Sequence, residues 1–490
     1  MDGSPRVACV TPVRRLGGRD VTTLEGLPGP DRIAWAGALV SSGGSQCGFC
    51  TPGIVMRLAA LEGPVSDDRI DQSLLAHLCR CTGWQTIREA AHAVLDGTPA
   101  PRPPPRDLDA AAARAALEGG VPQRVGTDVV LGDAGFADDD APVDALVAVV
   151  DSDDGYAVAD TLPAARLAAG KVQGRSTTVP LSHPVALPAG DWALTLATTW
   201  VEPAYVEPDA SWCVPGGEPA SPVRNGGAFG GKLHSSVVDD ARRLADEHDR
   251  SVRVLWSRED VVRRGPKRPP VGAGIAADGT GVLRVGISGG PVDDDRWAAV
   301  VRSVAAVAPG LALEQVPVDG PPVSFDLRAA VWAEAAVLAA AVRLAPHVRA
   351  GDGGPLVGVP VEVVGPGGGR AVVSCGMDGS LDIEVAAGRV LDTVVLRSYA
   401  IGAAHQALGW VGSEGIAVAP DGMVQDLTVR SFGILQARAM PAVTVRCTDG
   451  EGATPVNGSD AVFAAVAAAR WLADGLAPSW PSDRSGAGRR

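Results

Sequence analysis

The chain has 490 residues, of which 46% are hydrophobic but only 4% aromatic, so large cores must be built from Ala, Val and Leu. A formal charge of −14 and a pI near 5.0 argue against a nucleic-acid surface and against anionic membranes as partners. The length suggests roughly three domains, and 61 Gly with 39 Pro point to many turns.

Positive charge rests almost wholly on Arg, with Lys only at Lys171, Lys232 and Lys267. Met1 to Asp20 has no apolar run like that of a secretion signal. Ala329 to Leu344 is the most apolar stretch, but it carries Glu334 and Arg343 and falls short of the ~20 residues of a membrane span. It reads as a buried helix. Eight cysteines in so long a chain are not a secreted disulfide scaffold, and the expected setting is reducing and cytoplasmic.

In chain order, Ile33 to Ser41 predicts a first helix. Next come Cys47-Gly48-Phe49-Cys50 and, 28 residues on, Cys79-Arg80-Cys81. Each pair can give two thiolates to one iron, together the four-thiolate complement of a 2Fe–2S cluster. Zinc also takes two cysteine pairs, but Cys-x-Cys is less usual there, and the intervening sequence is helical. Thr51 as N-cap and Pro52 in the first turn start a helix directly after Cys50, its positive end towards an anionic cluster. Ser66-Asp67-Asp68 opens another, with Ile70, Leu74, Leu75 and Leu78 at helical spacing. A last helix runs from about Gln85 to Leu95 and ends at Gly97. Both pairs then lie on loops at one end of a small four-helix bundle over residues 31–96.

Gly97 to Arg106 holds five prolines and reads as a semi-rigid linker, 97–107. Beyond it the glycine-rich run Asn225 to Lys232 allows close backbone approach to a ligand, with exposed amides for anionic oxygens. By itself such a run is more often a tight turn between strands. Cys213, Cys375 and Cys447 are isolated, and buried structural thiols are their default. His183, His234 and His405 are scattered without metal-ligand spacing. Glu202, Glu207 and Glu414 are candidate titratable groups that suit ordinary structural roles equally well. Ser459 and Asp460 are placed to cap a helix from Ala461 to Leu472.

The residues QCGFCTPG at Gln46 to Gly53 and LCRCTGWQTIREA at Leu78 to Ala90 resemble the second iron–sulfur domain of the molybdenum hydroxylases, the xanthine dehydrogenase and aldehyde oxidase family. The run Asn225 to Lys232 is similar to that family's GGxFGGK loop, and Val252 to Pro270 to the segment after it. Weaker similarities cover Arg124 to Ala148, Trp200 to Pro208 and Ile383 to Leu472. The resemblance implies an α+β fold: the helical 2Fe–2S bundle, then a mixed α+β molybdopterin-binding-type region in two parts, 108–285 and 286–480, and a disordered tail at 481–490. It implies Cys47, Cys50, Cys79 and Cys81 as cluster ligands. Gln46, Gly226, Gly227, Phe229, Gly230 and Gly231 would contact a molybdopterin, with Phe229 lining the substrate pocket.

Three departures from the family pattern stand out. Residues 1–30 resemble the end of a plant-type ferredoxin domain but keep only Cys9, one thiol where a cluster needs four, which suggests a start codon called too late. Between Trp212 and Arg224 there is only a short Pro/Gly turn, and no counterpart of the family's Arg-rich loop is evident between Gly289 and Val316. The catalytic glutamate of the family aligns with Ser459, leaving Asp460, one position on, as the candidate base.

The expected function is an oxidoreductase that hydroxylates an aldehyde or N-heterocycle at a molybdopterin centre and passes electrons through the 2Fe–2S cluster. With no flavin domain between bundle and second region, a flavin would sit on a separate subunit, and the resemblance leaves room for a homo-oligomer. The alternative is a non-catalytic electron-transfer or assembly subunit with a decayed molybdenum site.

Overall fold

The structure, a computed structural model, describes residues 1–97, 106–170, 180–350, 356–425 and 427–484. The body of the proline-rich linker, 98–105, and residues 485–490 of the expected tail lie outside the described residues. Residues 1–28 carry three short 3-10 turns, with Val10, Val13 and Val21 exposed.

The four expected helices are present. Helix α1 (Gly29–Ser42) has Pro30 in its first turn and ends where Gly43, at φ +73°, adopts the left-handed cap that glycine reaches without a Cβ penalty. Helix α2 (Thr51–Leu58) begins directly after Cys50, but Cys50 itself is the N-cap. Thr51 lies inside the helix and its hydroxyl meets that of Ser45 at 3.0 Å, which corrects its expected capping role. Helix α3 (Asp67–Ser73) is capped by the Ser66 hydroxyl and stops earlier than the apolar spacing predicts: Leu74 is its C-cap and Leu75 is 41% exposed. Helix α4 (Gln85–Leu95) buries Ile87, Ala90 and Ala91 and packs against α1.

The rest is mixed α+β, as expected. Helices α5 (Leu108–Gly119) and α6 (Thr127–Val130) lead into a sheet of order β2-β1-β5-β4, formed by β1 (Leu146–Val150), β2 (Tyr156–Ala159), β4 (Ala210–Cys213) and β5 (Val252–Leu255). Helices α7 (Leu162–Ala169) and α8 (Val237–His248) cover it. Helix α9 (Arg258–Arg264) follows β5, capped by Ser257 in a reciprocal box with Asp260. A second sheet has the order β3-β6-β7-β8 over β3 (Leu194–Ala197), β6 (Val271–Ile275), β7 (Gly281–Ile287) and β8 (Leu311–Pro317). The division expected at residue 285 therefore falls within β7. Helix α10 (Asp294–Val307) connects β7 to the parallel β8.

Helix α11 (Trp332–Ala350) is the buried apolar helix expected near Ala329 to Leu344. The third sheet, order β12-β11-β10-β9, comprises β9 (Val361–Val364), β10 (Arg370–Cys375), β11 (Leu381–Ala386) and β12 (Val443–Thr448). Helices α12 (Thr393–Gly412), α13 (Val429–Phe432) and α14 (Ser459–Ala473) complete the fold. Alanine and glycine on α12 and α14 let these buried helices pack closely against each other, while α14 also packs on α11 and β10. Trp410 stacks on Phe463 at 5.1 Å and meets Trp480 edge-on at 4.7 Å, an aromatic cluster at this junction. The bundle and the second region share one continuous core. Among the described residues, no helix is long and apolar enough to cross a membrane.

Candidate functional site

The two cysteine loops converge at the inner end of the bundle. Cys47, Cys79 and Cys81 are buried and Cys50 is half-buried. One short contact runs across the loops, with the Cys47 and Cys81 sulfurs 3.5 Å apart, and Cys50 and Cys79 lie near enough to shift each other's pKa. Two thiolates on one tetrahedral metal, with bonds of about 2.3 Å, lie about 3.8 Å apart. The Cys47–Cys81 pair has the spacing for one iron, which favours pairing across the loops over the expected pairing within each sequence motif. Among the described residues no group of three His, Cys, Asp or Glu side chains is arranged to hold a single ion. The Cys79 thiol is held down to about 6 by hydrogen bonds from Cys50 and Thr82, and Cys50, at the positive end of α2, is a ready ligand once deprotonated.

Helix α12 presses one face against these loops. A side chain at Gly402 would overlap the Cys81 carbonyl, so only glycine permits the approach. One turn either side, Ser398 accepts from the Gln46 amide at 2.9 Å and Gln406 donates to the Arg80 carbonyl at 3.2 Å. Gln46 also donates to the Cys81 carbonyl at 3.1 Å, which ties the two cysteine loops together. Between the cysteines, Arg80 forms a buried two-pronged ion pair with Glu414 and donates to the Pro203 carbonyl at 3.0 Å.

The glycine-rich run lies against the cluster loops. Gly226, Gly227, Phe229 and Gly230 all have positive φ, between +52° and +89°. The Asn225 amide donates to the Cys47 carbonyl at 2.9 Å, and Lys232 is buried on Glu207 at 2.6 Å and over the Tyr205 ring. Side chains added at Gly230 and Gly231 would meet the Asp326 backbone and the Tyr205 ring. Phe229 points away from the cysteines into a second pocket, lined also by Arg80, Glu202, Arg268, Arg328, Gln406, Trp410 and Phe463.

Arg328 is the residue in this pocket that sequence reading missed. Its guanidinium lies 4.9 Å over the Phe229 ring, and its Nε donates to Gln406 at 2.8 Å. Burial pulls its pKa down, against the opposing pull of Asp460. Arg328, Ala329 and Val331 all have positive φ, a conformation costly for non-glycine residues, above all β-branched valine. The turn is held by Arg268, which donates to the Leu327 and Arg328 carbonyls and pairs bidentately with Glu334, and by Glu334 accepting from the Val331 amide at 2.6 Å. A glycine signal was the clue available for such a turn, and this chain has none there.

The late helix departs from expectation too. Helix α14 starts at Ser459, with Gly458 as N-cap and no cap from its own side chain, so Ser459 and Asp460 do not cap it. The cap comes from Glu118 of α5, whose carboxylate accepts from the Gly458 and Ser459 amides and the Ser459 hydroxyl, while Asn457 accepts from the Asp460 amide. Asp460 is enclosed near Arg328, and burial raises its pKa. The other carboxylates are structural ion pairs: Glu202 with Arg258, Glu207 with Lys232 and Glu414 with Arg80. His183 contacts the Trp480 carbonyl, His234 pairs with Asp326, and buried His405 faces the Leu435 carbonyl. Cys213 and Cys375 are buried as expected, Cys447 is half-buried and Cys9 exposed.

The donor set suits a molybdopterin in kind, combining glycine amides with an enclosed guanidinium over an aromatic ring, although the Gln46 amide is already committed to Ser398 and the Cys81 carbonyl. The volume is smaller. The Phe229 pocket encloses about 30 Å³, room for a water or two, so seating a pterin requires the loops around it to open.

Residues 23–92 match the family model described as a [2Fe-2S] binding domain. The chain is 39% identical over 94 residues to a probable xanthine dehydrogenase subunit of Bacillus subtilis, a stretch covering 19% of this chain and 54% of that protein. It is 42% identical over 97 residues to aldehyde oxidase 1 of Cavia porcellus, covering 18% of this chain and 7% of that protein. The chain therefore spans about half, or far less, of these relatives. The fold matches the aldehyde oxidoreductase of Desulfovibrio gigas with a TM-score of 0.64 at 14% identity, over 97% of this chain and 92% of the other. That of Desulfovibrio desulfuricans gives 0.65 at 13% identity, over 96% and 92%. Domain and fold define an iron–sulfur protein with an aldehyde-oxidoreductase-like α+β architecture. The cysteine motif and the relatives that share it mark residues 23–92 as a 2Fe–2S binding domain, and the chain as a whole has the fold of these aldehyde oxidoreductases.

Proposed function

We propose that this chain is the iron–sulfur and substrate-pocket chain of a molybdenum-hydroxylase-type oxidoreductase acting on a small aldehyde or N-heterocycle. The observation that carries the reading is the glycine loop, which touches the cluster cysteines at Gly227 and, two residues on, lines the pocket with Phe229. Pocket and cluster are thus neighbours across one turn of chain. Cys47, Cys50, Cys79 and Cys81 would hold the cluster. Gln46, Gly226, Gly227, Phe229, Gly230 and Gly231, with Arg328, would hold a molybdopterin. When bound, that cofactor supplies the centre at which such enzymes oxidise their substrate.

The chain's own residues would divide the remaining work. Phe229, Trp410 and Phe463 keep water from the pocket and offer flat apolar walls to an aromatic or aldehyde substrate. Arg328 attracts negative charge there. Asp460, raised by burial, is the candidate to hold a proton at its carboxylate. A cluster held by Cys47, Cys50, Cys79 and Cys81 would supply one-electron transfer out of the site, and we propose that the flavin that would receive the electrons sits on a separate subunit. A cytoplasmic setting and a homo-oligomer belong to the same proposal.

The second reading, an electron-transfer or assembly chain, draws on Ser459 at the glutamate position and on the narrow pocket. Metal analysis of protein purified after expression with its partners separates the two. About two irons with one molybdenum per chain supports the enzyme; two irons and no molybdenum overturns it.

A further inference from the structure

The glycine-rich loop has a contact that no pocket-lining role requires. A Cβ built on Gly227 would stand 2.7 Å from Cys47 Cβ, 3.0 Å from Cys47 Sγ and 3.5 Å from Cys81 Sγ. The glycines around it meet other walls: Gly226 faces the Gln123 side chain and Gly230 the Asp326 backbone. Gly227 alone among them rests on the thiols, with φ +77°. Asn225, 2% exposed, bridges the same place, with its amide nitrogen on the Cys47 carbonyl at 2.9 Å and its oxygen accepting from the Arg124 amide at 2.7 Å. A cleft beside the cysteines is lined on one side by Cys47, Cys50 and Cys81, and on the other by Gly226, Gly227 and Ala228.

We propose that residues 225–228 are a wall of the iron–sulfur centre, in which Gly227 packs directly on the Cys47 and Cys81 sulfurs and Asn225 latches the loop to the Cys47 backbone. The bundle supplies the ligands; the second region supplies the lid. The properties of such clusters are set by hydrogen bonds to the sulfurs and by solvent exposure. A lid of bare backbone brings peptide dipoles close to the sulfurs and excludes water. Adding a methyl group at 227 must lift the loop or push Cys47, and either change alters the surroundings of the cluster. Water admitted there favours the more negative, reduced cluster and raises its midpoint potential.

The test uses the full-length protein with its cluster in place, and reads iron content, the electron paramagnetic resonance spectrum of the dithionite-reduced protein and the midpoint potential. Gly227→Ala is expected to change the resonance spectrum and move the potential upward. Asn225→Ala, which adds no bulk, is expected to quicken cluster loss in air several-fold. Should Gly227→Ala fold but lose its iron, the wall is supported; should it not fold, Asn225→Ala decides. Spectra and potentials of Gly227→Ala that superimpose on the parent, or an unchanged rate of cluster loss in Asn225→Ala, would each overturn the proposal.

Discussion

Ser459 donates both its amide, at 2.8 Å, and its hydroxyl, at 2.5 Å, to one oxygen of Glu118, a residue 341 positions earlier in the chain. Glu118 is itself paired with the buried Arg114 at 3.0 Å. The position where the family's pattern has a glutamate is thus already served by a carboxylate arriving from another helix, and that carboxylate is committed to holding the end of α14.

Replacing Ser459 by glutamate is therefore expected to harm the protein. A second carboxylate would be forced against Glu118 in a buried site, and the loss of stability should be on the order of 3 kcal/mol. Urea denaturation of Ser459→Glu checks this. Adding Glu118→Gln to the same protein should recover part of the loss, since the like charge is removed. A Ser459→Glu protein as stable as the parent would contradict the packing described.

The cross-loop pairing of thiols can be read spectroscopically. Cys47→Ser and Cys81→Ser alter ligands of one iron, and Cys50→Ser and Cys79→Ser those of the other. Mössbauer spectra of iron-57-enriched variants are expected to match within each of these pairs and to differ between them. If Cys47→Ser matched Cys50→Ser instead, the pairing would follow the sequence motifs.

His405 on α12 is fully buried, and desolvation, reinforced by the nearby Arg80, lowers its pKa from 6.5 to about 4. Between these values the unfolded chain binds a proton that the folded chain does not. Stability therefore falls as pH drops from 6.5 towards 4, by up to about 3 kcal/mol. His405→Gln keeps a donor for the Leu435 carbonyl and should flatten this part of the stability–pH curve. An unchanged slope would mean that other groups carry it.

The Arg80–Glu414 pair joins the Cys-x-Cys loop to the end of α12 with both side chains almost fully buried. Glu414→Gln leaves the guanidinium without its opposing charge and is expected to cost about 3–5 kcal/mol. Because Arg80 stands between two of the cysteines, the cluster should suffer with it. Iron released per hour in air, compared with the parent, gives the measurement.

How much of this was legible in the sequence depended on how local the signal was. The helices of the bundle could be read from Ser66, Pro52 and the apolar spacing of α4, because caps and periodicity act within a few residues. The cysteines announced themselves by spacing. Their cross-loop pairing did not, since spacing says nothing about which sulfurs meet. Glu118 and Arg328 were invisible for a related reason. Glu118 reads as an ordinary helix residue until α14 arrives, and the left-handed turn at Arg328, Ala329 and Val331 carries no glycine to mark it. The glycine loop was recognisable as a close-approach loop, but what it approaches is Cys47, some 180 residues away.

Asn225 on the Cys47 carbonyl and Glu414 on Arg80 also set an order of events in the life of the chain. The four cysteines are translated before the residues that cover and brace them, which follow up to 334 positions later. At about 5–20 residues per second, the interval from Arg80 to Glu414 lasts roughly 15 to 70 s. Until Asn225 and Gly227 are made the thiols lack the loop that rests on them, and until Glu414 is made Arg80 lacks its buried partner. Iron that arrives before those segments have folded meets a more open site than iron that arrives afterwards.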